Sequence, residues 1–257
     1  MTATAPVLHS FANADALMDS LAAYITKIQR DAVNKKGRFT IAISGGSLPQ
    51  TLRGLIGRPG VKWDKWHVFY ADERLVPLSD PESNHGLCER ELYSHLGGAL
   101  PASQIHHIDE SLLDDIEEIT DAYEGQLIQE FANKDAARFP VFDLILLGMG
   151  PDGHTCSLFP NHPILSEDDR WVTYIENSPK PPPRRITLTL RVINHGAHVA
   201  FVATGEPKKE ILHAVLDEPE RGLPCSRVRP AHPSTVTWFV DDAASQLTAY
   251  PRTQPSV

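Results

Sequence analysis

Residues 142–160 constrain the fold of this chain more than any other stretch. The unbroken apolar run Leu144-Ile145-Leu146-Leu147 is too short for a helix and is closed by Gly148, so it reads as a strand buried on both faces, as in a parallel sheet. Parallel sheets place ligands beyond the carboxyl ends of their strands. Here that position is a tight turn made by Gly148, Gly150, Pro151 and Gly153. The first side chain beyond it that exchanges a proton near neutral pH is His154. Two plainer readings compete with a catalytic one. Gly148, Gly150 and Gly153 satisfy G-x-G-x-x-G, yet a dinucleotide site needs a sustained helix after the third glycine. Pro160 and Pro163 cut such a helix short, and Asp152 would face the pyrophosphate with like charge. Alternatively His154 only caps the turn, a reading that residue physics alone does not separate from a general base.

The same order, a strand and then a polar loop, recurs along the chain. Residues 39–43 read as a strand followed by Ser44-Gly45-Gly46-Ser47 and a helix with Pro49 in its first turn and Leu52, Leu55 and Ile56 inward. Glycines let consecutive N–H groups point outward, and a helix start adds partial positive charge, which suits a phosphate or carboxylate. A tight turn capped by Ser47 is the alternative. Residues 67–71 form a second strand ending in Asp72-Glu73-Arg74; an arginine fork there suits a phosphate, although such a triplet is also what a solvated charge run looks like. Ser83 or Asn84 caps the next helix, and His85 is read as structural.

Residues 171–175 and 186–190 are further strands, joined by a stiff segment from Ser178 to Arg185. Pro179, Pro182 and Arg184 match a P-x-x-P-x-R ligand, but the segment runs straight into a strand, so a rigid leader presenting an arginine beside the sheet is preferred. Residues 199–204 form another buried strand, and Gly205-Glu206-Pro207-Lys208-Lys209 opens a helix where a lysine is either solvated or placed for an anion. Residues 236–240 close the sheet, and the tail from Tyr250 is expected to fray. Two amphipathic helices are scaffold: one through Leu17, Leu21, Ile25 and Ile28, stopped by the cluster at 34–37, and one from Leu112 through Phe131. Asp114, Asp115, Glu117 and Glu118 sit where the helix dipole favours them and receive no catalytic role. The alternation predicts the α/β class, a three-layer α/β/α sandwich with a mainly parallel, Rossmann-like sheet, as a single domain over residues 1–257.

A formal net charge of -9 argues against nucleic acid or an anionic membrane as partner, so any anionic ligand must be held by a few local cations. Cys88, Cys156 and Cys225 are odd in number and form no C-x-x-C pair, which argues against a disulfide framework or a cysteine zinc site. The amino terminus carries neither a basic start nor an apolar core for secretion, and a cytoplasmic monomer is expected. No metal or other cofactor is expected, because His106-His107 and His154 with His162 lack the i, i+4 pairing of H-E-x-x-H.

The turn Gly148-Met149-Gly150-Pro151-Asp152-Gly153-His154-Thr155-Cys156-Ser157-Leu158-Phe159-Pro160 resembles the signature of the 6-phosphogluconolactonases. Ser44-Gly45-Gly46-Ser47, Asp72-Glu73-Arg74-Leu75-Val76-Pro77, the segment from Lys180 to Thr189 and Gly205-Glu206-Pro207-Lys208 follow in that family's order and at about its spacing. The resemblance implies hydrolysis of 6-phospho-D-glucono-1,5-lactone to 6-phospho-D-gluconate, a small phosphosugar lactone being the partner. It places His154 as base with Asp152 in a secondary catalytic role, and Ser44, Gly45, Gly46, Ser47, Asp72, Arg74, Arg185 and Lys208 on the substrate. Glucosamine-6-phosphate deaminases share the loop and the Asp-Gly-His turn, but their motif continues to Phe-Asn-Glu, where this chain has no glutamate. A non-catalytic phosphosugar sensor is the other alternative; it would need an attached DNA-binding helix pair, which neither terminal segment supplies.

Overall fold

The structure, a computed structural model, describes residues 4–132, 139–231 and 233–253. Its strands are β1 (Val7–Phe11), β2 (Phe39–Ile43), β3 (Trp66–Tyr70), β4 (Asp72–Arg74), β5 (Ile105–His106), β6 (Leu144–Gly148), β7 (Val172–Ile175), β8 (Arg185–Leu188), β9 (Val199–Ala203) and β10 (Val236–Asp241). The helices are α1 (Ala14–Lys36), α2 (Leu48–Thr51), α3 (Asn84–Glu91), α4 (Ile116–Phe131), α5 (Leu190–Ile193), α6 (Lys209–Leu216) and α7 (Pro224–Arg227). Seven strands make one sheet in the order β1-β10-β9-β6-β2-β3-β5, with every neighbouring pair parallel.

The two-residue period of β6 explains why its sequence is uniformly apolar. Leu144 and Leu146 enter the core layer shared with Leu17, Leu21 and Ile25 of α1, while Ile145 and Leu147 enter the layer shared with Ile119, Tyr123 and Leu127 of α4. Helix α1 begins where the Asn13 side chain accepts from the Ala16 N–H and stops at Gly37, whose φ of 75° only glycine adopts freely. Helix α4 starts at Asp115, whose carboxylate accepts from the N–H groups of Glu117 and Glu118, so the acidic cluster there includes the helix cap. The Tyr123 hydroxyl donates to the Tyr70 carbonyl and accepts from the Tyr70 N–H, pinning α4 to the carboxyl end of β3.

Several expectations are corrected. Strands β4, β8 and β7 do not extend the parallel sheet; they form a separate antiparallel sheet in which Asp72-Glu73-Arg74 is itself a strand. Strand β10 lies inside the main sheet, because the unanticipated β1 pairs beyond it. The helix after Ser47 is a single turn continued by a 3-10 segment, Leu52–Leu55, so Ile56 falls outside it and is exposed. The long helix starts at Ile116, Leu112 belonging to a preceding 3-10 turn. The tail does not fray at Tyr250: its hydroxyl donates to the Pro6 carbonyl, and the Thr253 N–H donates to the Leu8 carbonyl in β1. Pro255 lies outside the described residues.

Candidate active site

The turn after β6 is closed by its own backbone: the Gly150 N–H donates to the His154 carbonyl at 2.8 Å and the Gly153 N–H to the Gly150 carbonyl at 3.1 Å. This folds the His154 ring back over Gly150, so closely that a Cβ at Gly150 would lie 2.0 Å from its Cε1 and Nδ1. Phe159 lies against the ring, with centroids 4.6 Å apart. Behind it, Nδ1 makes a short hydrogen bond with the Asp152 carboxylate, and the Lys180 ammonium stands 3.6 Å from the same oxygen. Asp152 therefore orients the imidazole and does not line the cleft. Burial lowers the pKa of His154 below its ordinary 6.5, although the Asp152 carboxylate works against the shift. For Asp152 burial acts upward, but the bond from His154 and the Lys180 charge outweigh it and hold the carboxyl below its ordinary range. An ionised Asp152 fixes the proton of the neutral ring on Nδ1, which leaves the Nε2 lone pair as the base.

His154 lines a cavity of about 260 Å³ together with Ser44, Gly45, Gly46, Ser47, Asp72, Arg74, Arg185 and Lys208, so the substrate residues expected from sequence converge on one place. Gly45 has no room for a side chain, since a Cβ would meet Asn84 Oδ1 at 1.8 Å, and Gly46 has a φ of 74°. Ser47 makes no side-chain cap, and the one-turn helix after it adds little dipole, so an anion at this loop would be met by backbone N–H groups and the Ser47 hydroxyl. Asp72 forms the floor. It is 3% exposed, and its two oxygens accept from the hydroxyls of Ser44 at 2.8 Å and Ser157 at 2.9 Å, while Asn84 Nδ2 donates to its carbonyl. The carboxylate thus joins the loops after β2, β3 and β6.

The antiparallel sheet supplies the arginines. Arg74 and Arg185 are register partners across β4 and β8. Arg185 Nε and Nη2 donate to the carbonyls of Pro182, Lys180 and Pro181, which fixes the guanidinium at the cleft wall. Burial and the neighbouring Arg74 lower its pKa. Arg74 is held through Glu82, while its Nε is buried with no hydrogen-bond partner. Lys208 reaches from the start of α6 to the Met149 carbonyl at 2.6 Å, and burial followed by the nearby Lys180 lowers its pKa. Arg184 points elsewhere, to the carbonyls of Leu113 and Asp114.

Three further residues at or beneath the cleft carry no sequence motif of their own. Lys180 lines the cleft, and its place in the stiff segment beside Arg185 was the available signal. Asn84 and Ser157 act through Asp72, and only the fold brings them there. Among the cleft residues, the hydroxyl of Ser44 donates to Asp72, as does that of the neighbouring Ser157, and burial holds the Cys156 thiol well above its ordinary pKa, hence protonated. The arrangement offers an oriented neutral imidazole beside side chains of two arginines and two lysines, the chemistry needed to activate water next to a bound anion.

The chain matches the family of glucosamine-6-phosphate isomerases and 6-phosphogluconolactonases over residues 12–238. It is 44% identical over 243 residues to "Probable 6-phosphogluconolactonase" of Schizosaccharomyces pombe, covering 93% of this chain and 94% of that one. It is 41% identical to the 6-phosphogluconolactonase of Rattus norvegicus, covering 98% and 97% of the two chains. Among solved structures, the 6-phosphogluconolactonase of Leishmania guyanensis superposes with a TM-score of 0.82 at 28% identity, covering 95% of this chain and 98% of that chain. With a signature turn, a cation-lined rim and relatives this similar along nearly its whole length, the chain belongs to the glucosamine-6-phosphate isomerase/6-phosphogluconolactonase family.

Proposed function

We propose that this protein is a 6-phosphogluconolactonase, hydrolysing 6-phospho-D-glucono-1,5-lactone to 6-phospho-D-gluconate, the oxidative pentose phosphate step. The observation that carries the reading is the Asp152-His154 pair on the rim of a cleft lined by Arg74, Lys180, Arg185 and Lys208. In this reading the phosphate is tethered by Arg74, Arg185, Lys208 and the N–H groups of Gly45 and Gly46. The tether sets the lactone carbonyl one water away from His154. Nε2 takes a proton from that water as its oxygen attacks the carbonyl carbon; when the ring C–O bond breaks, the imidazolium returns the proton to the departing oxygen. Negative charge on the carbonyl oxygen is met by N–H groups of the glycine turns or by a rim cation. Asp152 keeps Nδ1 protonated and stabilises the imidazolium. No cofactor enters the scheme.

A deaminase reading lacks its glutamate: among the described residues that line the cleft there is none. A purely sensory reading leaves the oriented base without a use. Among the described residues no helix is long and apolar enough to cross a membrane. A cytoplasmic monomer belongs to the same proposal, supported by the acidic composition and the unpaired cysteines. Purified protein given fresh lactone should release acid and form 6-phosphogluconate well above the spontaneous rate, and should release no ammonia from glucosamine 6-phosphate. Ammonia release would favour the deaminase, and inertness toward both substrates the sensor.

A further inference from the structure

A second cluster of chemically able side chains lies away from the cleft. His67 stands near the amino-terminal end of β3, His106 ends the edge strand β5, and Glu130 is in the last turn of α4. His67 Nδ1 is 3.3 Å from His106 Nε2 and 3.7 Å from Glu130 Oε1, and the three atoms lie within 4.8 Å of one another. In a tetrahedral zinc site, with bonds of about 2.0–2.2 Å, neighbouring ligand atoms are roughly 3.3–3.5 Å apart. The 3.3 and 3.7 Å separations lie near that value, and the third, within 4.8 Å, closes to it by a side-chain shift.

Orientation is set as well as distance. The His106 ring stacks on Phe69 at 4.1 Å with an interplanar angle of 3°, which fixes where Nε2 points. Arg38 Nη1 donates to Glu130 Oε1 at 2.7 Å, the kind of hydrogen bond that holds a ligating carboxylate in place. A cation between them would take one lone pair from each facing ring nitrogen and one from the carboxylate. Two imidazoles with one carboxylate favour zinc-class ions over magnesium or calcium.

We propose that His67, His106 and Glu130 bind one zinc-class divalent cation, which ties β5 and the end of α4 to β3. The ion is a structural staple, outside the lactone chemistry. The three residues are 39 and 24 positions apart in the chain, which is why no motif announces them. The test uses the full chain stripped with a chelator and titrated with zinc chloride by calorimetry and thermal melting, and with cobalt chloride by absorption. One zinc per chain should bind, the melting temperature should rise with zinc concentration, and cobalt should give the intense visible bands of a tetrahedral site. His67→Gln and His106→Gln should each weaken zinc by at least about 100-fold with an unchanged circular dichroism spectrum, while His154→Ala binds zinc like the parent. Absence of zinc binding, a weak octahedral cobalt spectrum, binding that survives both glutamine variants, or binding lost in His154→Ala would each overturn the proposal. The cobalt spectrum of the parent decides the matter even if a variant fails to fold.

Discussion

Gly150→Ala separates the position of the His154 ring from its proposed chemistry. The added methyl carbon would sit 2.0 Å from Cε1 and Nδ1 of His154 and 2.7 Å from Nε2, whereas ordinary contacts begin at about 3.4 Å. The ring must therefore retreat by roughly 1.4 Å. Because the obstruction is a side chain and Gly150 does not have a positive φ, alanine is tolerated by the backbone and the fold should survive. Displacement breaks the Nδ1 bond to Asp152 and moves Nε2 off the attacking water. A misplacement of about 1 Å costs on the order of 100-fold in rate, or about 2.7 kcal/mol in the barrier. Initial rates of 6-phosphogluconate formation, with melting temperature as a control, measure this. The effect should vanish in a His154→Ala background, since both changes act on one group. Parental activity in Gly150→Ala, or an equal loss with His154 already absent, would mean that Gly150 does not set the position of a working imidazole.

Other consequences follow from the same geometry. The proposed mechanism requires an unprotonated His154, and burial holds its pKa below 6.5, so the acid limb of kcat/KM should fall below pH 6.5. Asp152→Asn removes a group that raises that pKa, so the limb should move to lower pH while the plateau drops, as a pH-rate profile would record. Asp72→Ala leaves the hydroxyls of Ser44 and Ser157 without their acceptor, at about 1–3 kcal/mol for each buried group, which urea unfolding would measure as lost stability. Lys208→Ala should lower kcat/KM by about 10- to 100-fold, the equivalent of one charge-assisted hydrogen bond, chiefly through KM; an unchanged KM would remove Lys208 from the phosphate tether.

Much of the fold was legible because its period and punctuation are local. The stripe on α1, its stop at Gly37 and the doubly buried β6 are written in neighbouring residues, and so is the turn that carries His154. The antiparallel sheet was not, because a charged triplet does not look like a strand. Asp72 and Glu73 are buried there only because distant groups satisfy them: the hydroxyls of Ser44 and Ser157 for one, and the N–H groups of Asn84 and His85 for the other. Desolvation still pushes Glu73 up to about 7. Strand β1 escaped notice because Leu8 alone of its residues is buried, which leaves no alternation to read. The turn that carries His154 and the rim cations were visible as clusters after strands, yet the antiparallel pairing that sets Arg74 beside Arg185 belongs to tertiary structure.

The proposed reaction depends on the imidazole of His154 as the proton acceptor. Purified His154→Ala, shown by its circular dichroism and melting temperature to be folded, should hydrolyse fresh 6-phosphogluconolactone about 10²- to 10⁴-fold more slowly than the parent, approaching the spontaneous rate. Turnover equal to that of the parent in the folded variant would contradict it.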